Sequence, residues 1–139
     1  ENAEIVRYGV MHANCFINSP KLLSKTHQAK FNPNLFFAWQ ITGVEGDNES
    51  IATGLFAAIN VYRLIKNEPL IELDNKTMLG ALIDYITFVG HKNLQPVNSN
   101  WGIVAPIELD KKIRKDKKAK NSLLANRSIS CIQELKNVL

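Results

Sequence analysis

An α/β fold is predicted by three consecutive features. Leu35-Phe36-Phe37-Ala38 is an apolar run of strand length, Gly43 and Gly46 bound a turn, and from Ser50 the residues Ile51, Leu55, Ala58, Tyr62 and Ile65 recur at helical spacing. Strand, glycine turn and helix in that order make one half of a nucleotide-binding α/β unit. The N–H groups that open such a helix have no intrahelical partner and carry the positive end of its dipole, which suits a phosphate or another electron-rich ligand edge. An ordinary βα corner, whose glycines serve only the turn, fits the same spacing equally well.

The remaining elements follow in chain order. Residues 4–10, β-branched and aromatic and closed by Gly9, lean extended. His12, Asn14, Asn18 and Ser19 then crowd a short polar stretch. It reads either as a loop with local side chain–backbone bonds or as a recognition surface for a polar substrate. Residues 21–33 show no clear period, and Asn32-Pro33-Asn34 is a turn expected to launch the strand. Four unbroken apolar residues, 35–38, fit a strand covered on both faces of a parallel sheet. The following helix, apolar nearly all round in its first turns, is expected to lie buried between layers, with Gly54 accommodated by close packing on the strand. Pro69 ends it. Residues 70–73 form a short strand or an extended connector. Asp74 or Asn75 caps a second helix reaching about Val89, with Met78, Leu82, Tyr85 and Val89 on one face. Gly90-His91-Lys92-Asn93 breaks that helix. Gln95, Asn98 and Asn100 lie in an irregular segment whose amides read equally as turn formers or as a cleft lining. Residues 108–137 are expected to form a terminal helix anchored by Leu109, Ile113, Leu124, Ile132 and Leu135.

Composition narrows the classes. At 139 residues with 45% apolar content the chain can build the core of one small domain. No apolar run approaches the roughly 20 residues of a membrane span, so no membrane partner is expected. Cys15 and Cys131 lack CxxC spacing, and His12, His27 and His91 form no zinc pattern, so no metal site is predicted and reduced thiols in a cytoplasmic protein are expected. Cys15 reads as a small buried thiol. The first residue is Glu1, with no initiator Met, and the chain is expected to be a piece of something longer or a trimmed chain. The net charge of +4 is local: residues 111–120 carry seven basic residues and one acid, leaving the rest at −2. Lys111, Lys112, Arg114, Lys115, Lys117 and Lys118 are therefore either a solvated helix face or an RNA phosphate-contacting patch. No aromatic residue is interleaved to stack a base.

Three segments together resemble one family. They are Tyr8-Gly9-Val10-Met11-His12 with Asn14 and residues 16–23; residues 34–38 with Gln40-Ile41-Thr42-Gly43-Val44-Glu45-Gly46 and Glu49-Ser50; and residues 79–82 and 85–87 with Asn93, Gln95-Pro96, Asn98, Asn100 and Gly102. Over about residues 1–107, and more loosely through the basic tail, these resemble the C-terminal third of the flavin- and folate-dependent tRNA uracil-5 methyltransferases, the TrmFO family, related to GidA. The resemblance implies the second half of a GidA-like Rossmann-type FAD-binding domain plus C-terminal helices, an incomplete fold. Residues 1–24 would be the return from an inserted domain, 25–107 the C-terminal half of the FAD domain, and 108–139 a basic helix. It implies FAD as cofactor of the complete enzyme, methylenetetrahydrofolate and NAD(P)H as co-substrates, and tRNA as substrate. Gln40, Ile41, Thr42, Gly43, Gly46 and Ser50 match the motif that meets the flavin side of FAD. His12, Asn14, Asn18, Gln95, Asn98 and Asn100 match motifs near the active cleft.

The chain also departs from that pattern. It contains no GxGxxG unit for the FAD pyrophosphate, and the family's catalytic cysteines lie in parts it does not contain, so no catalytic residue is assigned and no FAD is expected on this chain alone. Trp39 stands where the family has glycine, Asp47 where Tyr is usual, Ala13 where Arg is usual and Ile51 where Ala is usual. Three readings follow: the C-terminal portion of an RNA uracil-5 methyltransferase working with N-terminal FAD and inserted domains, a diverged remnant that at most binds RNA, or a paralogue acting on ribosomal RNA.

Overall fold

The structure is a computed structural model describing residues 15–91, 93–110, 113 and 115–136. The expected strand at 4–10, and His12, Asn14, Lys111, Lys112 and Arg114, lie outside the described residues. The described chain runs α1 (Ser19–Leu22), β1 (Gln28–Ala29), β2 (Asn32–Phe36), a 3-10 turn (Gln40–Thr42), α2 (Asp47–Ile65), α3 (Met78–Thr87) and α4 (Lys117–Lys136).

The α/β content is present, but the sheet differs from the expected one. Among the described residues the sheet is a two-stranded antiparallel hairpin, β1 against β2, with Gln28 opposite Phe36. Asn32-Pro33-Asn34 is part of β2 rather than a turn before it, and the chain reverses at Lys30-Phe31 instead. Pro33 is tolerated because, among the described residues, β2 pairs on one side only, and on its other edge no ladder N–H is required. Leu35 and Phe36 are half-buried, not covered on both faces. The two-residue β1 is too short to leave any period in the sequence.

Helix α3 is the hub of the core. Leu82 and Ile86 pack with Val44 and Leu94; Ile83 packs with Phe56 and Ile71; Ala81 packs with Val104 and Leu124. Three separate apolar groups thus meet on three sides of one short helix, which is why its sequence is apolar nearly all round. Its cap is Thr77, whose Oγ1 accepts the Gly80 N–H at 2.9 Å, rather than Asp74 or Asn75. Asp74 instead accepts the Lys76 N–H at 2.8 Å, and that bond holds its carboxyl below the usual range. Val89 lies beyond the helix end and is exposed.

The terminal helix starts later than expected. Residues 105–110 form no helix or strand, Ala105 donating its N–H to the Asn75 carbonyl at 3.0 Å. Asp116 caps α4 by accepting the Lys118 and Ala119 N–H groups. Leu124 is the buried anchor of α4, while Ile132 is exposed. Arg127 fastens the helix to this irregular segment, its guanidinium donating to the Pro106 carbonyl at 2.9 Å and the Ala105 carbonyl at 2.5 Å. Residues 70–73 form a connector with no strand, and Cys15 is exposed rather than buried.

Candidate functional site

Three segments distant in sequence meet at the N-terminal end of α2. The first is the turn 39–46. Its 3-10 piece ends at Gly43 (φ 90°), and Gly46 (φ 92°) is the N-cap of α2, so the helix opens at Asp47 rather than Ser50. Both glycines sit in the left-handed region that other residues avoid. The second segment is 95–100. Val44 and Val97 form a parallel bridge, with the Glu45 N–H donating to the Val97 carbonyl at 2.9 Å and the Val97 N–H to the Gly43 carbonyl at 3.1 Å. The third is 17–19: the Ile17 N–H donates to the Ile41 carbonyl at 2.8 Å, and the Ser19 hydroxyl to the Thr42 carbonyl at 2.7 Å.

Glu49 ties two of these segments together. From the first turn of α2 its Oε1 accepts the Ser99 N–H at 3.0 Å. The carboxylate passes over Gly46, where a Cβ would collide with it. Gly46 therefore supplies both the backbone conformation and the space. The sequence marks Glu49 within a motif but does not reveal that it straps residues 50 positions apart.

The candidate residues divide by what their side chains do. Thr42 is fully buried and its hydroxyl donates to the Trp39 carbonyl at 2.7 Å, a structural role. Asn100 spends both ends of its amide in its own turn, on the Asn98 carbonyl and the Gly102 N–H. Gln95, Asn98, Asn18 and Ile41 are exposed, and Gln40 is half-buried. Ser50 is buried, and its hydroxyl has no partner among the described residues. Lys115, Lys117 and Lys118 are exposed on or before α4, away from the glycine turn in sequence and outside this cluster of bonds.

Trp39 has the most unusual backbone of the site. Its φ of 72° and ψ of −162° lie in a region that essentially only glycine occupies. The conformation is held from both sides: its N–H points at the Thr53 hydroxyl, 3.4 Å away, and its carbonyl accepts the Thr42 N–H at 3.0 Å. The indole, 60% exposed, lines a groove of about 470 Å³ with Asp47, Ser50, Ile51, Gly54 and Leu55.

Comparison with known proteins places this arrangement. Residues 1–69 match the model of the glucose inhibited division protein A family. Over 138 residues the chain is 53% identical to the methylenetetrahydrofolate–tRNA-(uracil-5-)-methyltransferase TrmFO of Bacillus cytotoxicus, covering 99% of this chain and 31% of that protein. Its TrmFO counterparts in Halalkalibacterium halodurans and Brevibacillus brevis are 53% and 55% identical over 133 residues, 30% of each. The chain belongs to the GidA-related TrmFO family. It spans about three tenths of the length of those TrmFO relatives. The meeting of the 17–19, 39–46 and 95–100 segments thus joins the three motifs by which the sequence resembles TrmFO proteins. Among the described residues, no group of three or more His, Cys, Asp or Glu could hold a metal ion, and no helix is long and apolar enough to cross a membrane.

Proposed function

We propose that this chain is the C-terminal portion of a cytoplasmic methylenetetrahydrofolate- and FAD-dependent RNA uracil-5 methyltransferase acting on tRNA, and that it contributes the flavin-side surface. In this reading residues 1–24 return from an inserted domain, 25–107 complete the FAD-binding domain, and 108–139 form a basic RNA-facing tail. The observation that carries it is the convergence of the Gln40–Gly46 turn, the Gln95–Asn100 segment and the Asn18 region on the opening of α2. Relatives named for this activity supply its chemistry.

The residues present fit one edge of a flavin better than they fit a phosphate. Gly43 and Gly46 let the backbone come close to a ligand, and the buried Ser50 hydroxyl offers an unused hydrogen-bonding group beside the groove. Asp47 and Glu49 in the first helical turn oppose an anion there. Gln40 to Gly43, Gly46 and Ser50 would therefore hold the uncharged flavin side, leaving the pyrophosphate to the domain this chain does not contain. When bound in the complete protein, FAD supplies the redox centre at which the folate one-carbon unit and NAD(P)H electrons are used. The role of this chain is to orient the ring edge and to exclude water with Trp39 and Ile41. Asn18, Gln95 and Asn98, with His12 and Asn14, would face substrate, and Asn100 would shape the loop that presents them. Lys115, Lys117 and Lys118, with Lys111, Lys112 and Arg114, would contact RNA phosphates.

The test is a chimera in which this chain replaces the matching third of the Bacillus cytotoxicus protein. The reading expects FAD to co-purify and tRNA uridine to be methylated in a folate-dependent way. Absence of both, in a folded chimera, would favour the second reading, a diverged remnant, for which the strained Trp39 is the specific observation.

A further inference from the structure

Helix α2 is inverted relative to an ordinary surface helix. Its inward side is rich in polar groups: Thr53 and Asn60 are fully buried and Arg63 nearly so, each hydrogen-bonded, beside Phe56 and Ala57. Its outward side is Ile51, Leu55, Ala58, Tyr62 and Ile65, the very stripe whose spacing predicts a core face. Ile51 and Ile65 are each 72% exposed, Leu55 63% and Tyr62 58%. Amphipathic helices turn the apolar stripe inward, so a stripe of this size in water marks a surface made to be covered.

We infer that this face is the packing surface for the polypeptide forming the other two-thirds of the TrmFO fold, and that an apolar helix or strand of that part lies along it. The inference rests on the reading of this chain as a C-terminal portion. Four observations select this occupant. The chain corresponds to about three tenths of its relatives' length, so in a protein of their length a large body of chain is available to cover it. The five positions are spaced four, three, four and three residues apart, a straight seam about 20 Å long, which suits a packed secondary-structure element. No seam residue is charged, which excludes a nucleic-acid backbone as the partner. At its N-terminal end the seam runs into the groove of Trp39 and Ser50, where a Cβ on Gly54 would meet nothing within 4 Å. That open space beside the candidate flavin edge admits close approach by a backbone, and it replaces the expected packing of Gly54 on the strand.

The experiment introduces Ile51→Lys with Leu55→Lys into this chain and into the full-length Bacillus cytotoxicus chimera, and compares melting temperatures. In the chain alone both side chains are exposed, and the midpoint should stay within about 2 °C. In the chimera two lysines would be buried, and the midpoint should fall by about 5–10 °C or the protein should aggregate. Leu55→Cys provides a second measurement that does not depend on a disruptive change. Peptide-resolved maleimide labelling at position 55 should be at least about tenfold slower in the chimera than in the chain alone. Equal labelling rates, or equal melting shifts in both proteins, would overturn the inference. A stable dimer of the isolated chain that the lysine pair disperses, with no protection in the chimera, would assign the face to a second copy instead. Protection at position 55 in a chimera lacking FAD and activity would uphold the face while overturning the functional reading.

Discussion

Replacing Trp39 separates backbone strain from side-chain packing. Trp39→Gly and Trp39→Ala both remove the indole and whatever it buries, so their difference reports the backbone alone. At φ 72° and ψ −162° a residue with a Cβ is strained by about 1–3 kcal/mol. Glycine escapes that strain but gives back about 0.4–1 kcal/mol through its freer unfolded chain. The glycine variant should therefore be more stable than the alanine variant by about 0.5–2 kcal/mol, the reverse of the usual order. Urea unfolding of both variants measures it. With a slope of about 1–3 kcal/mol per molar, the glycine midpoint should lie higher by about 0.2 to 2 M. An alanine variant as stable as the glycine variant, or more so, would refute the strain argument. It would mean that the Thr53 and Thr42 contacts do not hold residue 39 in this conformation.

The remaining predictions are these. His27 is fully buried, its Nδ1–H donating to the Phe37 carbonyl at 2.7 Å and its ring edge-on to Phe56, and burial lowers its pKa from 6.5. The unfolded state then binds the proton more readily, so stability should be full above about pH 6.5 and fall as pH drops below it. His27→Asn, which tolerates the φ of 65°, should flatten the urea midpoint between pH 7.5 and 5.5, and an unchanged slope would exclude His27 as its source. Asn60 is buried and exchanges bonds with both the N–H and the carbonyl of Ile71 while donating to the Thr26 carbonyl. Asn60→Ala should cost about 3 kcal/mol in urea unfolding, and a loss below about 1 kcal/mol would show that water replaces those bonds. Changing Lys111, Lys112, Lys115 and Lys117 together to Gln should weaken RNA binding and flatten its salt dependence, and an unchanged salt slope would return the run to a solvated helix face.

What the sequence disclosed follows from the range of each interaction. Helix α2 and its stop before Pro69 were legible because helical period and the missing proline N–H act within a few residues. Its burial was not legible, because hydrophobic spacing reports which face wants cover and not whether the cover lies in the same chain. The stripe 51, 55, 58, 62, 65 was identified correctly as apolar and incorrectly as buried here. Capping sets the starts of α3 and α4: Thr77 caps α3 in place of the neighbouring Asp74 and Asn75, and Asp116 caps α4. The run 35–38 looked like a parallel strand by composition alone, whereas its partner Gln28–Ala29 carries no signal of its own. At the site, the spacing of the glycines at 43 and 46 marks a turn, whether it serves a ligand or only the chain reversal, and both adopt positive φ. The Glu49 strap to Ser99 and the Val44–Val97 bridge span about 50 residues, and no local pattern encodes them.

The central claim is that this chain holds one side of a flavin and requires the rest of the TrmFO fold to hold all of it. The ratio of FAD to protein, read from flavin absorbance after purification, tests that directly. The account predicts a ratio near zero for the chain alone and near one for the Bacillus cytotoxicus chimera, with Trp39→Gly raising occupancy if the wild-type chimera loads incompletely. Near-equal FAD on the isolated chain, or a folded chimera that carries none with either residue at position 39, would contradict it.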